Sequence, residues 1–161
     1  MATIAAQAIR TLHVLDLENL ASGVDKSAVE FLDVVDRYRS VVRIDTNDLI
    51  EVAVDASAWG RVAFVLPRSW RVRFGYGRDG ADRALLHAID PRVAARCFDR
   101  IVIGSGDGAF VELAEGLTGA GRRVDVVSRP GSLSRRLARA ATVVVPLPEP
   151  LDSPPPVAVA A

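Results

Sequence analysis

Arg100-Ile-Val-Ile-Gly-Ser-Gly-Asp-Gly-Ala-Phe110 decides how this chain is read. Ile101, Val102 and Ile103 form a short β-branched run, the pattern of a strand buried on both faces in a parallel sheet. The run breaks at Gly104, Gly106 and Gly108. Phe110, Leu113, Ala114 and Leu117 then recur at spacings of three and four, which puts them on one helix face. Strand, glycine turn and helix together make the repeating unit of an open α/β sheet, and such sheets take ligands at the carboxyl ends of their strands. Asp107 stands at that position, with the glycines expected to let the backbone turn tightly around it.

Working outward, the same unit recurs. Leu12-His-Val-Leu-Asp-Leu17 reads as the first strand, ending at Asp16, with Glu18, Asn19 and Leu20 as the turn that follows. Ser27 and Glu30 fit a capping box, and Val24, Ala28, Phe31, Leu32, Val35 and Tyr38 carry helical spacing to about Arg39. Leu49 to Val54 reads as a strand. Ala56 to Leu66 admits a short helix stopped by Pro67 or, over Val62 to Leu66, a strand; alternation of elements selects the helix. Trp70 to Tyr76 alternates as the next strand, and Gly77-Arg-Asp-Gly80 is a turn. Asp82 opens a helix bearing Leu85, Leu86 and Ile89, and Asp90 caps another that starts at Pro91. Beyond the central unit, Gly121 marks a helix stop. Val124 to Val127 reads as a fifth strand, Ser132 to Ala141 as a helix, and Thr142 to Val145 as a last strand.

This order predicts an α/β chain, a three-layer α/β/α sandwich with a mostly parallel central sheet, over residues 1–146. Six of the nine prolines lie between Pro146 and Pro156, so residues 147–161 are expected to form a Pro-rich, disordered tail.

A chain of 161 residues is the size of one domain with a full core. Acidic and basic residues balance at 20 each, so no global positive charge announces a nucleic-acid partner. Lys26 is the sole lysine, and the remaining cations are arginines, which suit bidentate phosphate contacts. A lone cysteine, Cys97, excludes an intrachain disulfide and a cysteine metal cluster; its helical context reads as core. No stretch reaches the roughly 18 apolar residues of a membrane span, and the N-terminus lacks a basic segment followed by a longer apolar run. A cytoplasmic location and no membrane association are expected.

Three carboxylates, Asp16, Asp82 and Asp107, are expected near one edge of the sheet. Two unit charges 4 Å apart repel by about 1 kcal/mol in water and about 4 kcal/mol at an effective dielectric of 20. Such a cluster calls for a cation. Hard oxygen donors without cysteine or a suitable histidine pair point to Mg²⁺ or Mn²⁺ rather than zinc, and ions so held commonly serve phosphodiester hydrolysis.

At these positions the chain resembles the NYN domain, a branch of the PIN-like nuclease superfamily. Asp16-Leu-Glu-Asn19 resembles the DxxN motif at its first strand, and Gly80-Ala-Asp82 its G-x-D element. Ser105-Gly-Asp107-Gly-Ala-Phe110 resembles its S-G-D-x-D-F element, and Ser132-Leu-Ser-Arg-Arg-Leu137 its closing S-x-x-L helix. Four motifs in order cover residues 12–146. The resemblance implies a metal-dependent ribonuclease in which Asp16, Asp82 and Asp107 ligate Mg²⁺ or Mn²⁺ and Asn19 orients a ligand, water or phosphate. RNA is then the partner, with Arg78, Arg83, Arg135, Arg136 and Arg139 as candidates to hold its backbone. Two positions depart from the family pattern: Ala109 stands where a second acid often follows the S-G-D, and Arg78-Asp79 stands where a lysine often precedes the G-x-D.

Other readings stay open at this level. Asp107 could simply cap the helix after it, and Asp82 could complement a helix dipole. Asp79 is a candidate substitute for the missing acid. Tyr76 reads as a packed residue or as a platform for a base; His87, Trp59 and Trp70 read as packed. A catalytically silent PIN-like module binding RNA or protein is the main alternative function. A dinucleotide-binding domain is a third, weakened because Gly104, Gly106 and Gly108 depart from the G-x-G-x-x-G fingerprint. Whether the chain forms a homodimer is not legible from its residues.

Overall fold

The strands expected from β-branched runs do form one sheet. In the computed structural model, which describes residues 9–150, six strands are paired in the order β3-β2-β1-β4-β5-β6, every neighbouring pair parallel. They are β1 (Thr11–Asp16), β2 (Leu49–Asp55), β3 (Arg71–Gly75), β4 (Arg100–Gly104), β5 (Arg123–Ser128) and β6 (Val143–Pro146). The central strands are buried along nearly their whole length, as a parallel sheet covered on both faces requires.

Helices pack on each face. On one side α1 (Leu17–Ala21), α2 (Ala28–Val41) and α3 (Trp59–Val62) bury Leu20, Phe31, Val35, Tyr38 and Val62 against Leu15, Val52, Val54 and Val102. On the other, α4 (Gly80–Ala88), α5 (Pro91–Cys97), α6 (Val111–Gly119) and α7 (Arg135–Ala140) bury Leu85, Ala94, Leu117 and Leu137 against Val14, Ile101, Ile103 and Val124. This is the expected three-layer sandwich. The capping box that starts α2 is formed: Ser27 Oγ accepts from the Glu30 backbone N–H at 3.3 Å, and the Glu30 carboxylate accepts from that of Ser27 at 2.8 Å.

Local differences from the sequence reading have physical causes. Residues 17–21 form a one-turn helix, not an open turn, because the Asp16 side chain caps it. Residues 56–62 are helical, as a 3-10 turn leading into α3. Cys97 ends α5 exposed rather than in the core, and His87 is exposed near the end of α4. Both lie on short helices, where only a narrow stripe of residues meets the sheet. His13, which has no partner close in sequence, is buried between the Tyr38 hydroxyl at 2.6 Å and Asp48 at 3.3 Å; burial holds its pKa below the ordinary value. Leu147, assigned by sequence to the tail, is buried against the α1–α3 side, and its N–H donates to the Ser128 carbonyl at 2.8 Å. The next tail residue is also held, the Pro148 carbonyl accepting from Arg37 Nη1 at 2.7 Å, while residues 151–161 lie outside the described residues, as do residues 1–8.

The chain runs outward from β1 through β2 to β3, then returns to the far side of β1 for β4. The carboxyl ends of β1 and β4 therefore flank the switch point, where adjoining loops part and leave a crevice.

Candidate active site

Asp16 is the last residue of β1, and Ser105, Gly106 and Asp107 follow β4 directly. Because Leu15 is in register with Gly104, the two loops leave the sheet side by side. They are cross-linked. Asp16 Oδ1 accepts the Asn19 N–H at 3.1 Å, and its Oδ2 accepts from the Ser105 hydroxyl at 3.3 Å. Ser105 Oγ in turn accepts the Asp107 N–H at 3.1 Å. Asn19 Oδ1 accepts the Gly106 N–H at 2.9 Å, and the Arg129 Nε donates to the Asn19 carbonyl at 2.8 Å.

Asp82 arrives from the first turn of α4 and meets Asp16 at hydrogen-bonding range. The seat of that helix depends on glycine. A Cβ on Gly75 would strike the Gly80 carbonyl carbon and the Ala81 nitrogen, with the Gly80 oxygen at 2.6 Å. The end of β3 thus touches α4 backbone to backbone. Asp79, just before the helix, holds a left-handed conformation at φ 54°.

The glycines of the central motif serve a purpose other than the expected tight turn: none of Gly104, Gly106 and Gly108 has a positive φ. A Cβ on Gly104 would stand 2.6 Å from Leu15 Cδ2, and one on Gly106 would run into the Ser132 carbonyl, whose carbon is at 2.8 Å. They let the loop press against its neighbours, with Ser134 N–H donating to the Gly106 carbonyl at 2.8 Å.

These side chains line one open cleft of about 530 Å³, bounded by Asp16, Glu18, Asn19, Asp55, Asp79, Asp82, Asp107, Arg78 and Arg129 among others. Asp16 is 4% exposed and Asp82 7%. Burial, then the facing Asp82 carboxyl, push the Asp16 pKa up to about 8. Burial raises Asp82 as well, with the neighbouring Asp107 and Asp79 charges adding to it and the Asp16 hydrogen bond opposing. In the absence of a cation the pair therefore holds a proton between its two carboxyls.

Each expected acid also has a local structural role. Asp16 caps α1, and Asp107 Oδ1 accepts the Ala109 N–H at 2.8 Å as the cap of the 3-10 turn 108–110. Asn19 fastens the β4 loop. Among the arginines, Arg78 lines the cleft, whereas Arg83 donates to the Arg78 and Tyr76 carbonyls and braces the turn. Arg135 and Arg136 are exposed on α7 and do not line the cleft; Arg139 lines a separate groove with Glu115 and Thr118. Arg71 and Arg73 are held by Glu51, and Arg100 and Arg123 by Asp125, away from the site.

Residues with no role assigned from the sequence are also present. Ser105 lies inside the quoted motif and joins its acid, Asp107, to Asp16 at the end of β1. Glu18, read from the sequence only as part of the turn after β1, is half-buried: it accepts the Asp55 N–H across the cleft, and burial raises its pKa. Arg129 follows β5 and carries no sequence signal of its own.

The donor set suits a hard divalent ion in chemistry: oxygen ligands only, and two buried carboxylates that otherwise need a proton between them. Among the described residues, however, no three acidic, histidine or cysteine side chains are grouped closely enough to form a ready-made cage. Mg²⁺ does not require one, since it is commonly held by one or two carboxylates with water and substrate phosphates completing the shell.

A doubly wound sheet in three layers with an acidic cleft at its switch point defines a PIN-like α/β domain. The family model described as the NYN domain matches residues 14–148, and the chain belongs to that family. A crystal structure of a protein of unknown function from Vibrio parahaemolyticus has the same fold, with a TM-score of 0.63 at 16% identity over 91% of this chain and 98% of that one. No curated protein matches the chain. Among the described residues no helix is long and apolar enough to cross a membrane.

Proposed function

We propose that this NYN domain is a metal-dependent ribonuclease. One observation carries the reading: Asp16, Asp82 and Asp107, from three distant stretches of chain, line one cleft, and two of them are buried face to face. Asp16, Asp82 and Asp107 would hold Mg²⁺ or Mn²⁺. The ion, when bound, would supply a Lewis acid for the phosphodiester and for the charge that grows on its oxygens.

The chain's own residues prepare that chemistry. Ser105 and the Asn19 N–H fix both oxygens of Asp16, so its orientation costs little on ligand binding. Asn19 and Ser134 hold the Gly106 peptide from both sides and thereby set the height of Asp107 in the cleft. Arg78 and Arg129, both lining the cleft, are the cations suited to backbone phosphates, the first almost wholly in solvent with its Nε 3.8 Å from the Asp79 carboxylate and the second tethered to Asn19. Arg135, Arg136 and Arg139 lie off the cleft and would contact only RNA that extends beyond it.

The test is cleavage of single-stranded and structured RNAs by purified protein in Mn²⁺. Turnover that persists undiminished in both Asp16→Asn and Asp107→Asn would refute the reading. Ala109, in place of an often-present acid, supports a second one, a silent module that binds RNA without cutting it; it predicts RNA binding indifferent to Mn²⁺ and no product.

A further inference from the structure

Aromatic side chains are scarce in this protein, and three stand exposed beside the cleft. Tyr76 is 73% exposed, Trp59 42% and Phe74 41%. The sequence leaves Tyr76 open as a packed residue or a platform for a base and reads Trp59 as packed; both are exposed. Trp59 opens α3, Phe74 lies on β3 and Tyr76 follows β3 directly. Asp55 lines the cleft at the end of β2 and caps the 3-10 turn that delivers Trp59. Phe74 is the penultimate residue of β3, and Tyr76 directly precedes Gly77 and Arg78 on the cleft lip. The Trp59 and Phe74 rings meet edge to face with centroids 5.1 Å apart. Among the described residues β3 is an edge strand, and no further strand covers this side.

An exposed apolar cluster of this kind marks an interaction surface. Its neighbours identify the occupant. Arg78, with a side chain almost wholly in solvent, suits phosphate, and the exposed Tyr76 ring two residues before it suits a base. Stacking on an aromatic face contributes about 1–3 kcal/mol per base and tolerates any sequence. A duplex keeps its bases stacked on one another and cannot use such rings.

We propose that Tyr76, Phe74 and Trp59 form a base-stacking lane that leads unpaired RNA into the acidic cleft and makes the chain select single strands over duplex. The lane rests on the ribonuclease reading for its direction, but its test does not need turnover. Fluorescence anisotropy in EDTA compares a short oligouridylate, an abasic ribose-phosphate strand of equal length and an RNA duplex. Tyr76→Ala is the primary variant because its ring packs on no core; Trp59→Ala is the second, and Tyr76→Phe the conservative control. Tyr76→Ala and Trp59→Ala are each expected to weaken oligouridylate binding by roughly 5- to 100-fold. Tyr76→Phe should bind as wild type does, and the abasic strand should bind all variants alike. Equal binding of oligouridylate by wild type and Tyr76→Ala, equal affinity for duplex and single strand, or no RNA binding at all would overturn the lane. So would a sedimentation dimer dissolved by the same substitutions, which would assign the face to a second copy. Cleavage in Mn²⁺ with Asp107→Asn as control decides the ribonuclease reading separately: base-dependent binding without cleavage keeps the lane and removes the nuclease.

Discussion

Asp16→Asn should make the metal-free protein more stable in mild alkali while abolishing its response to divalent ions. The wild-type Asp16 titrates near pH 3.8 when unfolded and at about 8 when folded. Between those values the folded state keeps a proton that the unfolded state has released, so stability is full below the lower pKa and falls as pH rises through the upper one. One retained proton gives a limiting slope of about 1.4 kcal/mol per pH unit. From pH 5 to pH 8 the ceiling is about 4 kcal/mol; entry of water into the open cleft reduces it, and a loss of about 1–2 kcal/mol is expected. For a domain of this size that is roughly 2–8 °C in Tm. Asparagine keeps the oxygen that accepts the Asn19 N–H and offers an N–H to Asp82 where the proton was. Thermal melts in EDTA at pH 5 and pH 8 test this. Wild type should lose stability relative to Asp16→Asn, a comparison that cancels contributions of titrating groups not in contact with Asp16. Mn²⁺ at pH 8 should restore wild type and leave Asp16→Asn unchanged. Identical pH dependence of the two proteins would refute the reasoning.

Other substitutions separate the contributions of individual residues. Asp107→Asn retains an oxygen to cap the 108–110 turn, so its melting should stay within about 0.5 kcal/mol of wild type, while RNA cleavage in Mn²⁺ falls by about a hundredfold or more. Gly75→Ala forces β3 and α4 apart against backbone that cannot rotate away; urea unfolding should show a loss of about 3 kcal/mol, and a cost under about 0.5 kcal/mol would contradict the close contact. Ser105→Ala leaves the Asp107 N–H without its acceptor and should cost about 1–3 kcal/mol by denaturant titration. Arg129→Ala should weaken binding to all RNA sequences alike and reduce the salt slope of the binding constant by about 1.

The central layer was legible because its signal is one-dimensional. Ile101 to Ile103 and Val124 to Val127 have no polar position to face solvent, so two-sided burial is written in the residues themselves. The stretch from 41 to 70 was harder: a 3-10 turn and four residues of α3 carry too little periodicity to distinguish from a strand, and alternation with neighbouring elements decided it. Cys97 and His87 misled for a related reason. An apolar helical neighbourhood says which stripe is buried but not how wide it is, and short helices bury a narrow one.

In the candidate site, the acids could be named because each ends a strand or opens a helix in a recognisable motif. Their contacts could not. Arg129 reaches the cleft only because β5 lies two strands from β1, and the Tyr38 hydroxyl finds His13 across 25 residues. Gly106 shows the limit well: a glycine between polar residues after a strand suggests a turn, yet its use is to let Ser132 come close, a fact about a partner 26 positions on.

The abutment of Gly75 on Gly80 has a consequence for how such a domain can drift over generations. The two positions act as a single heritable unit: a side chain gained at Gly75 runs into the backbone at the head of α4, one gained at Gly80 meets the Gly75 carbonyl carbon at 3.0 Å, and neither partner can be trimmed, being already as small as an amino acid can be. Lineages that lose this pairing must find a new way to deliver an acid opposite Asp16, or surrender it.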